Sequence, residues 1–90
     1  MTENGPIFTV EITKPALKEL AKINRGDQKA LKKAIERLGD DPYPPGNKKL
    51  QDSGGERRIR VGNYRVIYVV EHDVVRVLVL AIGHRREIYQ

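Results

Sequence analysis

The N-terminal part of the chain changes from a strand-like to a helical pattern of apolar positions. Residues 7–12 are rich in β-branched and aromatic side chains, which predicts a strand. Thr13 and Pro15 follow as a helix N-cap and a first-turn proline, so we expect this strand to lead directly into a helix that ends near residues 24–26. The apolar stripe of that helix consists of Leu17, Leu20, Ala21 and Ile23.

A second helix is predicted from about residue 27 to residue 38, because apolar residues again recur at helical spacing. Its apolar face consists of Leu31, Ala34, Ile35 and Leu38. Residues 39–46 contain several prolines and glycines, which end the helical pattern and predict the main loop of the chain. We expect the two helices to form a hairpin that packs on a sheet.

Three strands are predicted in the C-terminal half, at residues 56–61, 64–71 and 74–82. Short turns at residues 62–63 and 72–73 separate them, and such tight connections require antiparallel neighbours. The last strand is almost continuously apolar, which indicates burial on both faces and a central position.

These patterns predict an α+β fold for residues 1–90 as a single domain. It combines an N-terminal strand, a two-helix hairpin and a twisted, mainly antiparallel sheet of about four strands. The helices are expected to pack on one face of the sheet, and the first strand is expected to join it.

Composition narrows the class of protein. The chain has no cysteine and two histidines, so disulfides and thiolate metal sites are excluded and we expect neither a metal nor another cofactor. The N-terminus lacks the pattern of a signal peptide, and no segment approaches membrane-spanning length. We therefore expect a cytoplasmic protein with no membrane partner.

Positive charge is concentrated in the C-terminal half. The net charge is +5, and seven of the nine arginines lie in residues 48–90. Arginine is suited to planar, bidentate contacts with phosphate. This distribution favours a phosphate-bearing partner.

The strand at residues 56–61 predicts a cluster of arginines on one face of the sheet. Ile59 and Val61 are expected to face the helices, which places Arg58 and Arg60 together on the opposite face, with Arg65 on the neighbouring strand. Gathered cations repel one another and favour a bound anion. Arg57 and Arg76, each taken alone, are explained as solvated strand residues.

The C-terminal segment adds groups that can move protons. His84, Arg85, Arg86 and Tyr89 follow the most apolar strand, where a rigid sheet can present them to a ligand. Neighbouring guanidiniums favour the phenolate of Tyr89, and His84 is a second possible acid or base. Each also has an ordinary explanation, since tyrosine rings cap cores and lone histidines are usually structural.

No P-loop, dinucleotide fingerprint, metal cluster or activated serine or cysteine motif is present. A phosphodiester cleavage remains feasible in which RNA supplies its own nucleophile, the 2′-hydroxyl. The protein would then supply a base, cations on the phosphoryl oxygens and an acid for the 5′-oxygen.

The chain resembles the RelE/ParE toxin superfamily, and specifically its RelE-type mRNA interferases. The resemblance spans nearly the whole chain, and its carriers are residues 15–20, Lys49-Leu50, residues 58–68 and residues 81–89. It implies a cytoplasmic toxin that enters the ribosomal A site and cuts mRNA without a metal. It also implies an antitoxin, which we expect to use an acidic, amphipathic segment.

Carried over by position, the resemblance assigns catalytic roles to Arg58, Arg60, Arg65, Arg85 and Tyr89. His84 is a further candidate, because its imidazole can act as an acid or base. RNA or ribosome contacts are expected from Lys48, Lys49, Arg57 and Arg86. The best-known members have lysines where this chain has Arg58 and Arg60, and an arginine cannot lose its proton at working pH. The general base is therefore expected to be Tyr89 or His84. The chain ends one residue after Tyr89, so we expect no additional C-terminal segment of the kind that some relatives carry.

Two other functions remain open at this point. A ParE-like toxin would inhibit DNA gyrase without cleaving nucleic acid and would give Tyr89 no special role. A basic module could also bind nucleic acid with no chemistry at all.

Overall fold

The computed structural model describes residues 7–51 and 54–84. Two helices and five strands occur in these ranges. In chain order they are β1 (Thr9–Ile12), α1 (Lys14–Ala21), α2 (Arg25–Arg37), β2 (Lys48–Lys49), β3 (Arg57–Val61), β4 (Tyr64–Glu71) and β5 (Arg76–His84).

The predicted start of α1 is confirmed. The Thr13 side chain accepts a hydrogen bond from the Ala16 amide, and Pro15 lies in the first turn. This start orients the helix so that Ala16 and Leu20 are buried. Leu17, which was predicted to belong to the apolar stripe, is 48% exposed. The helix also ends at Ala21, earlier than predicted.

Helix α2 begins at Arg25 rather than at residue 27, because the Asn24 side chain acts as its N-cap by accepting a hydrogen bond from the Asp27 amide at 2.9 Å. The predicted apolar face is confirmed: Leu31, Ile35 and Leu38 are buried and Ala34 packs against them.

The sheet has five strands in the order β1-β5-β4-β3-β2. β1 pairs parallel with β5, and every other pair is antiparallel. The first strand therefore joins the sheet and the last strand lies inside it, as predicted. β2 was not predicted, because a pair of lysines in a loop carries no strand pattern.

The two hairpin turns of the sheet differ. Gly62-Asn63 forms the predicted tight turn, and Gly62 has a φ of +61°, a left-handed conformation that glycine adopts at low cost. The other turn covers residues 72–75 and is longer than predicted, so β5 begins at Arg76 instead of residue 74. Val75 in that turn has a φ of +52°, which is strained for a β-branched residue.

Both helices pack on one face of the sheet and share a single apolar core with it. Tyr68 lies in this core, and its hydroxyl donates a hydrogen bond to the Pro42 carbonyl at 2.7 Å. Burial raises the pKa of Tyr68 to about 12. In the described ranges no helix is long and apolar enough to cross a membrane.

Candidate functional site

The face of the sheet turned away from the helices carries the arginine cluster. Ile59 and Val66 pair across β3 and β4 and belong to the core, so their neighbours Arg60 and Arg65, which also pair directly, lie on the opposite face. Cβ atoms of directly opposed residues are about 4.5–5.5 Å apart. Arg58 lies two residues before Arg60 and therefore shares this face.

Strand β2 adds a fourth cation. Lys48 pairs with Arg58 across β2 and β3, which places both side chains on the same face of the sheet. We call Lys48, Arg58, Arg60 and Arg65 the arginine face. Its members come from three adjacent strands, so the sheet hydrogen bonds fix their spacing.

The electrostatics of the arginine face favour an anion. The pKa of Arg58 is lowered, first by burial and then by the charges of Arg60 and Arg65. The Arg58 Nε is buried and makes no hydrogen bond within the described residues. None of the ion pairs in the described ranges joins Lys48, Arg58 or Arg60 to a carboxylate. A bound phosphate would relieve this repulsion and supply acceptors.

Apolar and small residues adjoin the cluster. Arg58 is opposite Ile67, which is buried, and Ile67 is in turn opposite Ala81 on β5. Arg65 is opposite Gly83, which has no side chain. The guanidiniums therefore lie beside apolar surface, where their contacts with an anion are screened less than in open water.

His84 does not join the arginine face. It pairs with Tyr64, whose ring packs against the core, and the two ring centroids are 5.7 Å apart in an edge-to-face arrangement. His84 and Tyr64 therefore face the helices, where they line a pocket with Glu19, Lys22 and Ile23. The expectation that His84 lies among the arginines is thus not met.

A β-bulge in β5 explains this placement. Ile67 pairs with Ala81 and Tyr68 with Val79, so Leu80 is an extra residue without a partner of its own. The extra residue reverses the alternation of faces in the rest of the strand. Without it, His84 would lie on the same face as Leu78, which is the arginine side.

Two further predicted contact residues also lie on the helix side. Arg57 pairs with the core residue Tyr68, and Lys49 pairs with Arg57. The Arg57 guanidinium donates to Asn47 Oδ1 at 2.6 Å and lies 4.7 Å above the Tyr43 ring. These contacts give Arg57 a structural role.

Arg76 forms local ion pairs and takes no part in the arginine face. This agrees with the prediction that it is an ordinary strand residue. Its Nε donates to Glu71 Oε1 at 2.5 Å, and a second pair reaches Glu11 at 3.5 Å. The hydrogen bond to Glu71 and the charge of Glu71 raise the pKa of Arg76.

The predicted residues Arg85, Arg86 and Tyr89 lie outside the described residues. Within them, the arginine face provides cations for phosphate but no imidazole or phenol. Arginines hold their protons at working pH, so they act here as ligands and charge stabilisers. The ranges 7–51 and 54–84 contain no group of three or more His, Cys, Asp or Glu arranged for a metal ion.

Comparison with known proteins gives a consistent result. Residues 10–89 match a family model described as the ParE toxin of the type II toxin–antitoxin system parDE. A toxin named RelE1 from Methanocaldococcus jannaschii is 35% identical over 86 residues, which cover 92% of this chain and 96% of that protein.

Solved structures give the same fold. RelE in the archaeal RelE–RelB complex from Pyrococcus horikoshii superposes with a TM-score of 0.79 at 26% identity, covering 90% of this chain and 98% of that one. The isolated RelE toxin of E. coli gives a TM-score of 0.75 at 26% identity, covering 86% of this chain and 83% of that one.

Proposed function

The chain belongs to the ParE toxin family and is a toxin of the RelE/ParE kind from a type II toxin–antitoxin system, and we propose that it is a metal-independent endoribonuclease. Its substrate in this proposal is mRNA in the ribosomal A site, and cleavage inhibits translation. The main support for the proposal is the arginine face, which gathers four cations. Among residues 7–51 and 54–84, no carboxylate pairs with Lys48, Arg58 or Arg60.

The arginine face fits the charge requirements of phosphodiester cleavage. Negative charge develops on the phosphoryl oxygens as the 2′-hydroxyl attacks, and fixed donors aimed at those oxygens lower the barrier. Arg58, Arg60 and Arg65 are held by neighbouring strands, so they need little rearrangement to meet a phosphate. Lys48 extends the same charge along the RNA.

We assign the proton transfers to the C-terminal segment. Tyr89 accepts the proton of the 2′-hydroxyl as the 2′-oxygen bonds to phosphorus, and the P–O5′ bond breaks. Arg85 stabilises the leaving 5′-oxygen, which then takes its proton from solvent. His84 is no longer a preferred base, because it faces the helices beside Tyr64. Lys49, Arg57 and Arg86 remain proposed contacts to RNA or the ribosome rather than to the scissile phosphate.

A protein antitoxin is the second proposed partner. Two of the similar structures are complexes of RelE with RelB, from P. horikoshii and from Mycobacterium tuberculosis. We propose that an acidic, amphipathic antitoxin segment binds this chain and neutralises the arginine face. Opposite charges would speed the encounter and make it sensitive to salt.

A second candidate function comes from the family model, which is described as a ParE toxin. A ParE-like protein would inhibit DNA gyrase and cleave no RNA. The arginine face could then hold an acidic surface of the enzyme instead of a phosphodiester. This alternative gives the guanidiniums no role in chemistry.

Purified protein added to a translating extract separates the two candidates. Primer extension on the mRNA should show cuts in phase with codons, and Arg65→Ala should abolish them while Lys32→Ala, an exposed change on α2, should not. Intact mRNA together with inhibition of gyrase supercoiling would favour the ParE-like function and contradict the nuclease.

A further inference from the structure

A pair of aromatic rings lies on the opposite side of the sheet from the arginine face. Tyr43 belongs to the loop between α2 and β2, and His72 belongs to the turn between β4 and β5. The Tyr43 hydroxyl and His72 Nε2 are 2.7 Å apart, and the two ring planes differ by 14°. A hydrogen bond between nearly parallel rings places them side by side, so together they present one broad aromatic surface.

We call Tyr43 and His72 the ring platform, and contacts from Arg57 and Phe8 hold it in place. Arg57 lies over one face of the Tyr43 ring and is itself bound by Asn47. Phe8 meets His72 edge to face with centroids 5.6 Å apart. Even so, Tyr43 remains 41% exposed and His72 is exposed. A fixed and exposed aromatic surface loses little entropy when a flat ligand stacks on it.

The charges around the ring platform favour a neutral ring over a phosphate. The Asp41 side chain accepts a hydrogen bond from the Tyr43 amide at 3.1 Å, and the Asp73 side chain accepts one from the Val74 amide at 3.0 Å. Two carboxylates therefore lie close to the ring platform. These carboxylates would repel a phosphate bound directly on the rings. A nucleobase carries no charge and stacks on any aromatic face, especially near an arginine.

A basic edge connects the ring platform with the arginine face. Lys48 and Lys49 are consecutive residues of the edge strand β2, so they project to opposite faces of the sheet. Lys48 adjoins Arg58 on the arginine face, and Lys49 pairs with Arg57, which covers Tyr43. An RNA backbone crossing this edge would meet cations on both sides.

We propose that Tyr43 and His72 form a stacking platform for one nucleobase of a single RNA strand whose phosphates cross β2 onto the arginine face. This inference rests on the proposed function only in taking RNA as the ligand of the arginine face. Stacking is tolerant of sequence, so the platform would add affinity and set the register of the strand without reading a particular base.

A purely structural role makes a different prediction. The same contacts attach the loop before β2 to the turn before β5, so removing the Tyr43 ring would lower stability under either account. Only the stacking role predicts a loss of RNA affinity in protein that is still folded. The ring-preserving change Tyr43→Phe separates stacking from the hydrogen bond to His72.

The test uses the full chain and a ten-nucleotide 2′-O-methyl RNA, which lacks the attacking hydroxyl and cannot be cut by 2′-hydroxyl attack. Fluorescence anisotropy of the labelled probe gives the Kd for each variant, and thermal unfolding shows that the variant is folded at the assay temperature. Tyr43→Leu should weaken binding by about tenfold, because the variant loses the stacking of one base. Tyr43→Phe should change Kd by less than about twofold because its ring can still stack. Val74→Ala, at a 55% exposed residue of the same turn, is the matched control and should bind like the wild type.

A probe of equal charge made of abasic units completes the design. Tyr43→Leu and the wild type should bind it equally, and the His72 ring resonances should shift with the normal probe but not with the abasic one. Equal affinity of folded Tyr43→Leu and wild type for the normal probe would overturn the inference, as would failure of the wild type to bind that probe. If RNA affinity depends on Tyr43 but the protein cuts no mRNA, the stacking role of the ring platform is supported and the proposed nuclease function is rejected.

Discussion

Replacing Arg60 by glutamine should stabilise the fold while weakening the proposed function. Arg60 is directly opposite Arg65 in the β3–β4 register and lies two residues from Arg58 on the same face. It is exposed and shares no ion pair within residues 7–51 and 54–84. The change therefore removes repulsion and breaks no described ion pair.

The expected gain in stability follows from the cross-strand pair of Arg60 and Arg65. Directly opposed side chains on a sheet contribute roughly 0.2–1 kcal/mol, and like charges in that position are destabilising. In a domain of this size, 1 kcal/mol shifts Tm by about 4–8 °C, so Arg60→Gln should raise Tm by about 1–8 °C at low ionic strength. In 1 M salt the Debye length falls to about 3 Å, so most of the gain should disappear.

Differential scanning calorimetry at low and high salt measures this difference. Lys32→Gln, an exposed change on α2 with the same loss of charge, is the control for net charge and should give a smaller shift. Arg60→Gln should also lose affinity for RNA. A Tm that is unchanged or lower at low salt would refute the view that repulsion among the cations of the arginine face destabilises the fold.

Three further outcomes are expected. Arg65→Ala and Arg85→Ala should each slow mRNA cleavage by about a hundredfold or more, because each removes a charged donor from the transition state, and near-normal rates for both in folded protein would contradict this. Tyr89→Phe should lose most of the cleavage rate whereas His84→Ala should keep it, and the reverse result in single-turnover assays would make His84 the base. The folded state holds the Tyr68 proton up to pH about 12. The unfolded state releases it near pH 10, so the free energy of unfolding should fall between these values, and Tyr68→Phe should lose that part of the decline in denaturant titrations.

Much of the fold follows from local patterns in the sequence. The N-cap at Thr13, the apolar face of α2 and the turn at Gly62-Asn63 are each determined by residues within a few positions of one another. Alternation along β3 likewise placed Arg58 and Arg60 on the face away from the helices. These features depend on short-range geometry, which the order of residues contains.

The features that were missed depend on pairing between distant residues. β2 is a strand only because Lys48 and Lys49 meet Arg58 and Arg57. The bulge at Leu80 appears only in the register between β4 and β5, and it turns His84 to the helix side. No local pattern in an unbroken apolar run marks where such an extra residue falls.

The contact between Tyr43 and His72 is a further case. The two residues are 29 positions apart, and each reads as an ordinary loop or turn residue in isolation. Their juxtaposition follows from the loop crossing the end of the sheet, where the Tyr68 hydroxyl binds the Pro42 carbonyl.

Binding of mRNA by the arginine face can be seen in a structure of this protein bound to a ribosome whose A-site codon carries 2′-O-methyl groups, which block attack by the 2′-hydroxyl. If the arginine face binds the RNA, an A-site phosphate should lie within hydrogen-bonding distance of at least two guanidiniums among Arg58, Arg60 and Arg65. A complex in which the A-site mRNA contacts another face of the protein, or in which the protein does not occupy the A site, would contradict it.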